Sequence, residues 1–179
     1  FIGVGAYGEA ILHARGWPLP LSLATATLLA AATGILAAWP ARKLSGIYLA
    51  IATFSFGFIA QEIFARWETV TGGNAGRVVA TLDPQWLYGL TVAAALGALW
   101  LFDRLQASRF GRALLALRED TTAADMLGIA VPLLKMRAFA VAAALGGLAG
   151  ALYAHQLRFI SPEQFGLVLS GFRDGMGET

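Results

Sequence analysis

Asp103–Arg137 reads DRLQASRFGRALLALREDTTAADMLGIAVPLLKMR, a charged, cap-bearing stretch between two apolar runs. The run before it is Gln85–Phe102 and the run after it is Met136–His155. Each is close to the roughly 20 apolar residues that carry a helix across a bilayer. The same test picks out Leu21–Trp39 and Gly46–Ala65, and Phe1–Leu12 reads as the tail of a fifth span. Lipid offers no partner to backbone N–H and C=O groups, so each run is expected to be helical. The expected fold class is therefore all-α, a polytopic membrane helix bundle with an amphipathic loop on one side. Pro18, Pro20, Pro40, Pro84, Pro132 and Pro162 fall outside these spans or at their edges, where proline disturbs a helix least.

Composition points the same way. Hydrophobic residues make up 58% of the chain and charged residues 13%, against about 25% charged in a soluble domain. The 21 glycines, with many alanines, suit close helix packing in lipid. A net charge of +2 with no basic stripe excludes nucleic acid as a partner. The absence of cysteine excludes disulfide frameworks, zinc ribbons and thiol chemistry. The chain opens at Phe1 inside an apolar run with no basic leader. It is read as a piece of a longer polytopic protein, entered in mid-helix, with no signal peptide.

If the spans alternate, Arg42, Lys43, Arg104, Arg109, Arg112, Arg118, Lys135 and Arg137 share one side, eight basic residues. Arg15, Arg66, Arg77, Arg158 and Arg173 share the other, five. Lysine and arginine favour the cytoplasmic side, so 103–137 is expected in the cytoplasm. Trp17, Trp39, Trp67, Trp86 and Trp100 lie near span ends, as interfacial anchors do.

Within the loop, Phe110, Leu114 and Leu117 follow helical spacing. Arg118-Glu119-Asp120 interrupts that helix. Thr121 or Thr122 is suited to cap a second one, and Thr122 with Asp125 has the spacing of a capping box. Met126, Leu127 and Ile129 then offer apolar contacts, and Gly128 suits the left-handed residue that ends a helix. The predicted result is a helix–turn–helix along the membrane surface. On the residues alone it serves equally as a connector touching anionic headgroups or as a segment docked in a cytoplasmic partner.

Other residues weigh less. Glu62 precedes Arg66 by one helical turn, the favourable order for a surface ion pair; alternatively Gln61 or Glu62 lines a path through the bundle. Thr71-Gly72-Gly73-Asn74-Ala75-Gly76 is a turn by composition. Ala143, Gly147, Gly150 and Ala151 form small-residue pairs for close helix approach. His13 and His155 read as isolated, without the spacing of a metal site. No nucleophile–base set or carboxylate pair suggests an enzyme, and no GxxxxGK[ST] binds a nucleotide. No cofactor is expected. A secondary transporter would show charges near the midplane or broken helices, and neither is evident. A structural membrane subunit with a lipid-binding loop is the remaining alternative.

Four stretches in order carry a resemblance. ARKLSGIYLAIATFSFGFIAQEI (Ala41–Ile63), TGGNAG (Thr71–Gly76), GRALLALREDTTAADMLGI (Gly111–Ile129) and AFAVAAALGGLAGALYAHQLRFISPEQF (Ala138–Phe165) together resemble LivM-type permeases of branched-chain amino-acid ABC importers. The resemblance runs from about Gly3 to about Phe165. It implies a permease subunit in the bacterial inner membrane. Its implied partners are cytoplasmic ATPase subunits, a second permease subunit, a periplasmic substrate-binding protein and the lipid bilayer. Carried over by position, the ATPase-coupling residues are Gly111, Arg112, Ala113, Arg118, Glu119, Asp120, Ala123, Ala124 and Gly128. The path or external mouth would hold Gln61, Glu62, Thr71, Gly72, Gly73, Asn74 and Gly76. Relatives of this type that import urea or short amides leave a second substrate class open. The family continues past the Ser-Pro turn into another apolar helix, whereas GFRDGMGET (Gly171–Thr179) is polar. The expectation is a partial importer transmembrane domain over 1–170, with its coupling loop at 103–135, and a polar, truncated tail over 171–179.

Overall fold

The computed structural model describes residues 1–41, 47–67, 77–79, 83–157 and 159–160. Arg42, Lys43, Arg158, Arg173, the Thr71–Gly76 turn and the 171–179 tail lie outside the described residues. In chain order the helices are α1 (Ile2–Ala14), α2 (Leu19–Ala41), α3 (Ile47–Arg66), α4 (Pro84–Ala107), α5 (Arg109–Glu119), α6 (Thr121–Met126) and α7 (Val131–Leu157). Four of them are long and apolar enough to cross a membrane, over Leu19–Pro40, Ile47–Phe64, Pro84–Ala107 and Val131–Leu157. The fold is an all-α bundle with one small addition. Strands β1 (Arg77–Val78) and β2 (Phe159–Ile160) pair antiparallel, Arg77 opposite Ile160 and Val78 opposite Phe159.

Local chemistry starts and stops these helices. The Pro18 carbonyl accepts from the amides of Leu21 and Ser22 to open α2, and Pro20 falls in the first turn, where a missing N–H costs nothing. Asp83 caps α4, its carboxylate accepting from Gln85 N at 3.2 Å, with Pro84 as the first helical residue. Gly16, at φ +83°, ends α1. Its amide bonds the His13 carbonyl, and Trp17 N bonds that of Leu12, which pairs off two orphan carbonyls. Both α4 and α7 run further than the apolar pattern suggests, to Ala107 and back to Val131. Their terminal charges, Asp103, Arg104, Lys135 and Arg137, stay helical because long side chains reach water from a helix end.

The core is built by α1, α2 and α7. Ala26 and Leu23 on α2 share one buried cluster with Ala151 and Leu152 on α7. Further along, a Cβ on Gly34 would strike Ala143, and one on Gly147 would strike Ala30. The numbers fall along α2 as they rise along α7, so the two helices run antiparallel. A Cβ on Gly5 would meet the main chain of Gly147, which brings α1 into backbone contact with α7. The small residues of Ala143–Ala151 therefore face the other two core helices. At the Gly16 end, Val79 next to β1 and Ile160 of β2 are buried with Ala6, Tyr7, Ala10 and Ala154, and Phe64 packs against this cluster.

The other two long helices differ. The span windows of α3 and α4 contain no buried residue. Ile51 and Phe54 on α3, and Leu96, Leu99 and Trp100 on α4, lie exposed. All five tryptophans are exposed, and Arg104 sits 5.5 Å over the Trp100 ring.

Candidate functional site

The segment from Ala107 to Val131 is a chain of three joints. Ser108 is the first: it ends α4 and opens α5, its backbone extended at φ −77°, ψ 170°. Its Oγ lies 2.6 Å from the Leu105 carbonyl, to which it donates, and accepts from Gly111 N at 3.3 Å. Gly111 is buried in this corner, where a Cβ would collide with the carbonyls of Leu105 and Gln106. Arg112 is exposed and donates to the Ala107 carbonyl at 3.1 Å. On α5, Phe110, Leu114 and Leu117 are half-buried, as their spacing predicts, while Leu115 is exposed. Ala113 lines a cleft of about 220 Å³ with Phe110, Leu134 and Arg137.

Asp120 is the second joint. It ends α5 in extended backbone, φ −155° and ψ 121°. Its carboxylate accepts from Ala123 N at 3.3 Å and its carbonyl from Ala124 N at 3.1 Å. The cap of α6 is therefore Asp120, and Thr121 is already the first helical residue. This corrects the threonine cap expected from the sequence; the Thr122 side chain lies outside the described residues. Aspartate ranks above threonine as an N-cap, and the break places it where the donors converge.

Gly128 is the third joint, at φ +78°. Its amide bonds the Asp125 carbonyl at 2.9 Å and Ile129 N bonds that of Ala124 at 3.1 Å, the paired closure of a left-handed cap. Arg118, Glu119, Asp120 and Ala123 are exposed. Ala124 is 1% exposed, so its methyl packs within the chain and is not a contact surface. Met126 and Leu127 do the opposite of what their apolar character suggests, at 85% and 78% exposed; Ile129 is half-buried.

A second feature is a cavity of about 660 Å³ between α1, α2, α3 and α7. Its walls are mostly apolar, with Phe56, Phe64 and Ala149 among them, and Thr53, Gln61 and Tyr153 contribute polar groups. The Thr53 hydroxyl is engaged with the carbonyls of Leu49 and Ala50. Gln61 lines this cavity. Glu62 does not. It is turned outward and pairs with Arg66 Nε at 2.5 Å, with the two side chains 61% and 81% exposed. One residue along a helix turns a side chain by about 100°, which separates these neighbours. Thr71, Gly72, Gly73, Asn74 and Gly76 lie outside the described residues.

The third feature corrects the isolation of the two histidines. His13 and His155 meet edge-on, 5.3 Å between ring centres. His155 Nε2 is 3.1 Å from Glu9 Oε1, and Ser22 Oγ is 2.6 Å from the same oxygen. Glu9, Ser22 and His155 are buried. Glu9 and His155 are 146 residues apart, so no spacing rule finds the pair. The available signal was a carboxylate in the apolar run Phe1–Leu12, since such a group in a span is expensive unless partnered. Among the described residues no cluster suits a metal ion.

Known proteins place the chain. Residues 1–172 match the family model described as branched-chain amino acid transport system / permease component. The chain is 34% identical over 207 aligned positions to the high-affinity branched-chain amino acid transport system permease protein LivM of Escherichia coli. It is 33% identical to the protein of the same name in Salmonella typhimurium, again over 207 positions. Each alignment covers 96% of this chain and 48% of the relative. A probable branched-chain amino acid transport permease protein LivM of Methanocaldococcus jannaschii is 26% identical over 76% of this chain and 42% of its own length. The chain spans about half the length of the curated relatives it matches, and no solved structure matches it. With four membrane-length helices and a family match over nearly its whole length, it is a multi-pass membrane protein and belongs to the permease components of branched-chain amino acid transport systems.

Proposed function

We propose that this chain forms part of the membrane-spanning subunit of an ATP-driven importer of branched-chain amino acids in the bacterial inner membrane. ATP hydrolysis takes place on separate cytoplasmic subunits. A second permease subunit completes the path, and a periplasmic binding protein delivers substrate at the Gly16 side. The observation that carries this reading is the α5–α6 segment. It joins two membrane-length helices, is fixed at three capped joints, and exposes Met126 and Leu127 as well as Arg118 and Glu119. Exposed apolar side chains rimmed by charge are what a docked partner covers.

In this reading the ATPase grips Arg112, Ala113, Arg118, Glu119, Ala123, Met126 and Leu127. Gly111, Asp120, Ala124 and Gly128 keep the shape of the grip, and ATP closure shifts the bundle between two packings. The mostly apolar cavity suits an aliphatic side chain better than urea. The deciding experiment reconstitutes the full-length protein with its partners and measures ATP-dependent uptake of leucine and of urea. Leucine uptake abolished by ATP depletion supports the reading. Uptake that persists on an ion gradient alone, or a preference for urea, contradicts it. Labelling of a cysteine at position 119 from outside intact cells would put the loop on the wrong side.

A further inference from the structure

Glu9 joins all three core helices through one oxygen. Ser22 on α2 and His155 on α7 both contact Oε1 of this α1 residue, at 2.6 Å and 3.1 Å. Oε2 is buried and has no hydrogen-bond partner among the described residues, and the same is true of His13 Nδ1. An orphan carboxyl oxygen in a buried site works against stability. A leucine in its place would fill space without that cost, so packing alone does not account for a glutamate here. The carboxyl supplies direction instead. Elsewhere the three helices meet through apolar contacts, largely glycine and alanine as at Gly147 and Ala30 with Leu23 against Leu152, and such contacts carry no directional bond. Hydrogen bonds to one oxygen fix the register of all three at the Gly16 end.

The other end of α7 begins at Val131, three residues past the Gly128 joint. Its 27 residues form one uninterrupted helix, about 40 Å long, from the loop to the Glu9 cluster. We propose that Glu9 is a positioning residue. Through Ser22 and His155 it locks α1, α2 and α7 into one block, so that displacement of the loop is carried by α7 to the whole block and not lost as sliding. The lock is a property of this bundle; its part in transport rests on the importer reading above.

The test uses cysteine pairs, since the chain has none of its own. A Cβ at Gly8 would lie 3.5 Å from Ala26 Cβ, and one at Gly146 would lie 3.7 Å from Phe1 Cβ. Both fit the disulfide span of about 3.5–4.5 Å. Gly8→Cys with Ala26→Cys ties α1 to α2, and Phe1→Cys with Gly146→Cys ties α1 to α7. The pairs are placed in full-length protein with no other cysteine.

In native membranes, Glu9→Ala should slow disulfide formation in each pair about tenfold, the loss of two buried hydrogen bonds. Glu9→Gln, whose amide oxygen accepts the same bonds, should stay within about threefold. Equal rates in Glu9→Ala and the unsubstituted protein overturn the lock, whatever the protein transports. In the assembled importer, Glu9→Ala should lower ATP-driven leucine uptake about tenfold. Oxidising the cysteine pairs should restore it, and a reductant should remove it again in the same sample.

Glu9→Gln as inactive as Glu9→Ala, with no rescue by oxidation, overturns the proposal and assigns the carboxyl a proton- or ligand-binding role. Where Glu9→Ala fails to assemble, the cysteine pairs alone decide. Uptake retained in the oxidised state supports a rigid block, and uptake lost on oxidation overturns it. An unsubstituted complex that moves no leucine fails the importer reading, while the disulfide rates still decide the lock.

Discussion

Single residues set the joints of the loop. The aspartate cap predicts that Asp120→Ala destabilises α6 by about 1 kcal/mol, seen as faster hydrogen exchange at the Ala123 amide. Thr121→Ala should leave that amide unchanged, because Thr121 is not the cap. Gln61 and Glu62 make a second contrast. Gln61→Leu should change the KM for leucine, since the side chain lines the cavity. Glu62→Ala should leave uptake within about twofold, since an exposed i,i+4 pair contributes about 0.5 kcal/mol or less. Gly128 was legible in the sequence because a glycine after a short helical run is the common residue for a left-handed cap. The cap at Asp120 was less so. Thr121 and Thr122 are the caps their spacing suggests, Asp120 directly before them is the stronger acceptor, and only the backbone decides which one leaves the helix.

At the scale of elements, the spans were legible because about 20 apolar residues leave a helix as the structure that satisfies its own backbone in lipid. The α5 stripe was legible for a similar reason: Phe110, Leu114 and Leu117 recur on one face. Met126 and Leu127 were not placed by pattern, since α6 has only six residues and too few turns to define a face. Their exposure predicts a partner surface. Met126→Asp with Leu127→Asp should leave the full-length protein folded and in the membrane, yet abolish copurification of the ATPase subunits. Ala124→Arg should act differently. It would force a long charged side chain into a buried position, so the loop itself should become protease-sensitive.

The whole molecule is uneven. α1, α2 and α7 share a tight core through Ala26, Ala30, Gly147 and Ala151, whereas the spans of α3 and α4 hold no fully buried residue and reach that core only through half-buried side chains such as Phe64, Leu90 and Ala94. In a membrane those faces are covered by lipid, by more chain or by a second subunit. A photoactivatable side chain at Leu96 should therefore cross-link to lipid or to another polypeptide segment. The same group at Ala151 should react only with α1, α2, its own helix or the Leu90–Ala94 stretch of α4 that packs against its cluster; labelling of lipid from Ala151 would contradict the three-helix core.

What the sequence determined alone is what local physics determines. Apolar length set the spans, composition set the membrane, and helical spacing with Gly128 set the α5 stripe and the left-handed end of the loop. Four ordered motifs set the family. Only the tertiary structure decided which residues meet. It turned Glu62 out and Gln61 in, buried Ala124 beside an exposed Ala123, and paired Arg77–Val78 with Phe159–Ile160. It also gathered Glu9, Ser22, His13 and His155 at one end of three helices. The reason is that a span pattern fixes that a helix crosses but not its rotation or its neighbours, and a buried polar cluster is defined by nothing else.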